Sequence, residues 1–224
     1  ILILNGIATP KFQVFTSVNQ QIEPLLKFPL IIKPIAEGSS IGITNNSLVY
    51  DINSLKKQIG HIIRTYNQSA LVEEFCEGRE FTVSILGNKN PKVLPIVEIT
   101  FNHLPNNLGK FDSFESKWIY DVPDSPIDPI VCPADITPNL KRKLEHIAKK
   151  SFEALEIKDL CRIDIRLDSN DIPQVLEINA LPGLTPDIKM NSRFIRASYA
   201  AGLTYDQLIF EIINTALNRY NLSL

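Results

Sequence analysis

Cys161-Arg-Ile-Asp-Ile-Arg-Leu167 and Gln174-Val-Leu-Glu-Ile-Asn179 are the two runs on which the reading of this chain turns. The first alternates: Cys161, Ile163, Ile165 and Leu167 share one face, and Arg162, Asp164 and Arg166 the other. Successive side chains of a strand point to opposite sides, so this is a half-buried strand. Asp168, Ser169, Asn170 and Asp171 supply turn chemistry. The second run then puts Val175, Glu177 and Asn179 on one face. In an antiparallel pair centred on Asn170-Asp171, Asp164 faces Glu177, and Arg162 lies near Asn179. Two carboxylates and an amide oxygen form an all-oxygen set suited to Mg²⁺, which keeps water and phosphate oxygens as its other ligands. An arginine beside it suits phosphate or an oxyanion. On their own these residues fit equally a solvated sheet face on which arginines neutralise acids.

Working outward, Thr137-Pro138 starts a helix with Leu140, Leu144, Ile147, Ala148 and Leu155 on a stripe. After the hairpin come a loop over residues 180–186, a short helix near 193–201 stopped by Gly202, and a last helix opened by Thr204 and Gln207 as a capping box. Upstream, Phe12 to Phe15, Leu30 to Pro34, Ala70 to Phe75, Glu80 to Leu86 and Val93 to Thr100 read as strands. Asn53 caps a helix to about Tyr66. Residues 102–133 form an irregular stretch too long for a passive connection. Strands and helices mix without strict alternation, which gives α+β.

Bulk properties exclude several classes. The 224 residues suffice for a real core, and the net charge of −2 offers no basic field for nucleic acid. No apolar run approaches transmembrane length, so no membrane partner is expected. Cys76, Cys132 and Cys161 are odd in number and scattered, as are His61, His103 and His146. Reduced thiols of a cytoplasmic protein follow, without zinc spacing. Ile1-Leu-Ile-Leu-Asn-Gly6 reads as the tail of a helix, and the chain as a fragment.

Three further stretches carry candidate chemistry. Glu37-Gly-Ser-Ser-Ile-Gly42 follows a strand ending in Lys33. Glycines allow close approach to an anion and hydroxyls donate to phosphate, although a turn without ligand has the same composition. Leu71-Val-Glu-Glu-Phe-Cys-Glu-Gly-Arg-Glu-Phe81 sets acids at strand ends, where they could accept from adenine and ribose or merely keep an edge soluble. Lys117, in Phe114-Glu-Ser-Lys-Trp118, could close on a phosphate site or sit exposed in its loop.

Taken together and in order, Ile32-Lys-Pro-Ile-Ala-Glu-Gly-Ser-Ser-Ile-Gly42, the 71–83 run, Phe114-Glu-Ser-Lys117, Arg162-Ile-Asp164 and Leu176-Glu-Ile-Asn-Ala-Leu-Pro-Gly-Leu-Thr185 resemble the ATP-grasp enzymes, and more narrowly the D-alanine–D-alanine ligases. The likeness covers nearly the whole chain. It implies an ATP-grasp fold of two lobes, residues 1–75 and 76–224, with ATP bound between antiparallel sheets. It matches Lys33 to a phosphate lysine and Ser39 and Ser40 to a flexible loop, with Ser40 among the catalytic groups. Glu73, with backbone near Phe75, matches the adenine reader, and Glu80 the ribose acid. Lys117 matches the loop lysine, and Arg162 the residue steadying the transferring phosphate. Gly183 matches an oxyanion-site glycine. Two Mg²⁺ ions, with Mn²⁺ as an alternative, would be held by Asp164, Glu177 and Asn179. Substrates would be amino acids, and the assembly a homodimer. The activity implied is ATP-dependent carboxylate–amine ligation, in peptidoglycan precursor synthesis where the acceptor is D-alanine.

Three departures bear on substrates. The family's N-terminal domain is not in this sequence, so weak ATP binding and little ligase activity are expected of it alone. Trp118 stands where the family has tyrosine, and indole donates but cannot accept. Ile188 stands about where the family has a serine for the acceptor carboxylate, with Lys189 beside it. A ligase with a different acceptor and a non-catalytic nucleotide-binding module are the alternatives.

Overall fold

The structure, a computed structural model, describes residues 1–121 and 128–222. It is α+β, with every strand pairing antiparallel. The chain divides into two compact units, and the division is not a single cut in the sequence. One unit comprises Pro10–Cys76 and Phe101–Ile127; the other comprises Ile1–Thr9, Glu77–Thr100 and Asp128–Leu224.

The unit containing Pro10–Cys76 is built on four strands: β1 (Phe12–Phe15), β2 (Leu30–Pro34), β3 (Leu48–Val49) and β4 (Ala70–Glu74), in the order β1-β4-β2-β3. Helix α1 (Ile52–Tyr66) covers one face. Its stripe of Leu55, Ile59 and Ile62 packs on Leu30, Ile32 and Val72. Alternation in β2 sends Ile31 and Lys33 to the other face, where Glu73 pairs with Ile31. Asn53 was the expected cap of α1. The cap is Asp51, whose carboxylate accepts from the amides of Asn53 and Ser54 at 2.8 and 2.9 Å. A carboxylate at this end also meets the positive pole of the helix.

The other unit holds a six-stranded sheet: β5 (Glu80–Leu86), β6 (Lys92–Val93), β7 (Val97–Ile99), β8 (Ile130–Val131), β9 (Leu160–Leu167) and β10 (Pro173–Asn179), in the path β10-β9-β5-β7-β8 with β6 on β5. The strand expected over Val93 to Thr100 is broken, because Pro95 has no amide to give the ladder. Helix α2 (Pro138–Ala154), capped by Thr137, lays Leu144, Ala148 and Phe152 on Phe81, Val83, Ile163 and Ile165. Helices α3 (Arg193–Ala200) and α4 (Tyr205–Arg219) bring Phe194, Ile195 and Leu208 against Leu86, Val97 and Leu160. The capping box of Thr204 and Gln207 is formed. The irregular stretch contains five residues of π-helix, Ser116–Tyr120, and residues 122–127 of it lie outside the described residues. Among the described residues no helix is long and apolar enough to cross a membrane.

Candidate functional site

Three ladder rows cross β5, β9 and β10 on the face opposite α2. They read Ser84–Arg162–Asn179, Thr82–Asp164–Glu177 and Glu80–Arg166–Gln174. Asp164 and Glu177 are direct partners, and so are Arg162 and Asn179. The expected face for Val175 is wrong. The register shifts between Val175 and Glu177, so Val175 pairs with Ile165 and joins the α2 core. A bulge adds one residue and restarts the alternation, leaving Glu177 and Asn179 on the polar face.

Asp164 is 8% exposed and fully engaged. Its Oδ1 accepts from Thr82 Oγ1 at 2.8 Å and Arg162 Nε at 3.1 Å. Its Oδ2 accepts from Arg162 Nη2 at 2.8 Å and Asn179 Nδ2 at 3.2 Å. Burial pushes its pKa upward, but the guanidinium of Arg162, the charge of Arg193 and the Thr82 hydroxyl outweigh it. The carboxyl is held below its ordinary range. One row away Glu80 accepts from Arg166 Nη1 at 3.2 Å, and Arg166 Nε donates to Gly78 O at 3.0 Å. Among the described residues no group of three or more His, Cys, Asp and Glu is gathered for a metal. The set that fits Mg²⁺ is Asp164 and Glu177, direct ladder partners, with Asn179 on the same face: hard oxygen donors without a soft ligand.

Beyond β10, the Gly183 carbonyl accepts from Ser192 Oγ at 2.6 Å. A Cβ at Gly183 would meet no atom within 4 Å, so packing does not require glycine here. Ile188 is exposed, and the Lys189 amide donates to Asp187 Oδ1 at 2.9 Å.

In the unit containing Pro10–Cys76, Lys33 and Glu73 form an ion pair on the face away from α1. Ser39 and Ser40 both take left-handed backbone, φ 55° and 62°. Gly42 is required: a Cβ there would lie 2.4 Å from Pro34 Cγ. This loop is tied to the segment carrying Lys117. Ser40 Oγ donates to Asp112 O at 2.8 Å, the Phe114 amide to Ile43 O at 2.7 Å, and Trp118 Nε1 to Ser39 O at 3.0 Å. Indole thus ties the loops as a donor to a backbone carbonyl. Lys117 Nζ lies 4.0 Å from Asp112 Oδ2. The Phe75 amide donates to Pro29 O at 3.0 Å, and its ring meets Phe111 edge-on at 5.7 Å.

Sequence reasoning missed Thr82 and Arg193. The signal for Thr82 was present: Glu80, Thr82 and Ser84 alternate with Phe81, Val83 and Ile85. Arg193 is buried in the first turn of α3, and no periodicity marks it.

A family model described as "D-ala D-ala ligase C-terminus" matches residues 3–214. The chain belongs to this family. A protein of Sinorhizobium fredii named "Uncharacterized protein y4sG" is 35% identical over 96% of this chain and 60% of its own length. The D-alanine–D-alanine ligase of Carboxydothermus hydrogenoformans is 33% identical over 97% of this chain and 66% of its own. Among solved structures, the Bacillus anthracis D-alanine–D-alanine ligase complexed with ATP superposes with TM-score 0.72 at 25% identity, over 97% of this chain and 63% of that one. VanG D-Ala:D-Ser ligase from Enterococcus faecalis gives 0.74 at 25%, over 96% and 58%. The expected ATP-grasp, α+β fold is that of these ligases. The chain spans 58–66% of the length of these four proteins.

Proposed function

We propose that this chain carries the nucleotide and metal chemistry of an ATP-dependent carboxylate–amine ligase of the D-alanine–D-alanine type, forming a dipeptide and releasing ADP and phosphate. The observation that carries the reading is the Thr82–Asp164–Glu177 row with Arg162 and Asn179 beside it on one sheet face. The ligases among its relatives support it.

A carboxylate oxygen of the first substrate attacks the γ-phosphorus of ATP, and the bond to the bridging oxygen of ADP breaks. The amine of the second substrate attacks the resulting acyl phosphate. The acyl carbon–oxygen bond to phosphate breaks, and the nitrogen loses a proton. Phosphorylation makes a poor leaving oxygen a good one, so no enzyme nucleophile is needed. The protein's part is positioning and charge neutralisation. Lys33 and Lys117 meet the nucleotide phosphates, and Ser39 and Ser40 close over them. Glu73 and the backbone at Phe75 read adenine, and Glu80 the ribose. Arg162 neutralises the phosphate in transfer, and the backbone at Gly183 receives the oxyanion. Divalent cations held by Asp164, Glu177 and Asn179, two Mg²⁺ or Mn²⁺ in their place, would neutralise phosphate charge when bound. With D-alanine as acceptor the protein acts in cytoplasmic peptidoglycan precursor synthesis, as a homodimer.

A second reading, a ligase with another acceptor, rests on Trp118 and Ile188 in place of tyrosine and serine. ADP release by the protein with D-alanine alone, and then with a panel of paired amino acids, separates the two. Nucleotide titration by calorimetry, carried to concentrations that fill a weak site, tests the common premise; no binding of ATP, ADP or their magnesium complexes there removes both.

A further inference from the structure

We infer that Arg162 and a divalent cation compete for Asp164, and that nucleotide phosphate settles the competition by taking the guanidinium, so that metal and nucleotide bind cooperatively. This rests on the metal site proposed above and concerns how that site loads.

The geometry is that of a carboxylate with its capacity filled. A carboxylate offers about four lone-pair positions. Asp164 has two donors on Oδ1 and three on Oδ2, with Arg162 Nε–H shared between the oxygens and Nη2 on Oδ2. Mg²⁺ needs an oxygen at about 2.0–2.1 Å in a near-octahedral shell. It cannot take an edge that a guanidinium already covers, since two cations at contact distance in a buried site repel strongly. Asn179 is turned the same way, presenting its NH₂ and not its oxygen to Asp164. The Arg162 guanidinium must therefore change partner for the cation to enter.

Arg162 needs somewhere to go. Its side chain is 14% exposed, so leaving Asp164 for nothing would strand a largely desolvated charge. A phosphate group answers this, because its oxygens match the planar fork of arginine in bidentate fashion. Anion and cation binding then assist each other: phosphate draws Arg162 away and exposes Asp164, while the cation at Asp164 releases Arg162 to the phosphate. Linkage makes the assistance equal in both directions. Ser84 is consistent with a row that has a second arrangement. Paired with Arg162 in the ladder, its Oγ is buried with no hydrogen-bond partner.

The test uses Mn²⁺ alone, followed by electron paramagnetic resonance of the free ion. Arg162→Met should bind Mn²⁺ at least about fivefold more tightly than the wild type without nucleotide, the lower end of ordinary coupling. ADP should then raise Mn²⁺ affinity by a smaller factor in the variant. A residue of merely structural importance would weaken metal binding or leave it alone. Arg162→Lys, which cannot span both oxygens, should fall between, and it answers the question where the methionine variant fails to fold. Variants that bind no more tightly than the wild type, while Asp164→Asn loses the ion, overturn the exchange and leave the metal site standing. Mn²⁺ binding that ignores Asp164→Asn, or no Mn²⁺ binding in any form, removes the metal site and the exchange with it.

Discussion

Val175 and Glu177, two apart on β10, point to opposite faces of their sheet: Val175 pairs with Ile165 in the α2 core, and Glu177 pairs with Asp164 on the polar side. Val175 is 1% exposed, and burying a valine is worth about 1.5–3 kcal/mol. Val175→Ala should therefore lower stability by about that amount in urea unfolding. A cost near zero would mean the side chain lies on the polar face, as strict alternation places it.

Gly183 separates a functional from a structural glycine. Open space surrounds the position of its missing Cβ, so Gly183→Ala should keep stability within about 0.5 kcal/mol. Amide formation should fall if the reacting group, as proposed, approaches this backbone through the space a Cβ would take. Parallel measurement of melting temperature and ADP release decides it; a variant that unfolds refutes the open-space argument.

Trp118→Phe removes one donor and keeps the aromatic bulk. The lost bond to Ser39 O is an ordinary neutral hydrogen bond, with a net contribution of about 0.5–1.5 kcal/mol. Nucleotide affinity should weaken by about two- to tenfold, with the fold intact. Trp118 is the one tryptophan in the sequence, so its emission in the wild type should change on nucleotide addition. Unchanged affinity together with silent fluorescence would separate this bond from the site.

Asp159 fastens α4. Its carboxylate accepts from Arg219 Nη2 at 2.7 Å and Asn88 Nδ2 at 2.8 Å. The hydrogen bond from Arg219 chiefly holds its pKa below the usual value. A depressed folded pKa contributes stability that is complete above the unfolded value of about 3.9 and lost as pH falls through the lower folded value. Asparagine tolerates the backbone here, φ 70°, so Asp159→Asn isolates the charge. Its melting temperature should trail the wild type most near neutral pH and converge with it in acid. A gap that is constant with pH would contradict this.

The hairpin could be read in advance because period-2 alternation places a strand's faces and Asp168 to Asp171 place its turn. Asp164 and Glu177 therefore met as expected. The bulge could not be read, since Leu176 carries no composition that marks an extra residue. Asp51 and Asn53 are both good helix caps two residues apart, and only the amides each can reach separate them. Pro95 was legible and overlooked. For Trp118, chemistry told what indole can do, but its partner is a main-chain oxygen, and main chain looks alike at every position.

The rows Ser84–Arg162–Asn179 and Thr82–Asp164–Glu177 stand on three bonded strands, whereas Ile188 and Lys189 sit on a short exposed turn. Change is therefore cheap at one place and costly at the other. On the function proposed above, a lineage could retarget its acceptor by rewriting a handful of loop residues while the sheet rows are inherited untouched, and divergence in this family should be sought first in that turn.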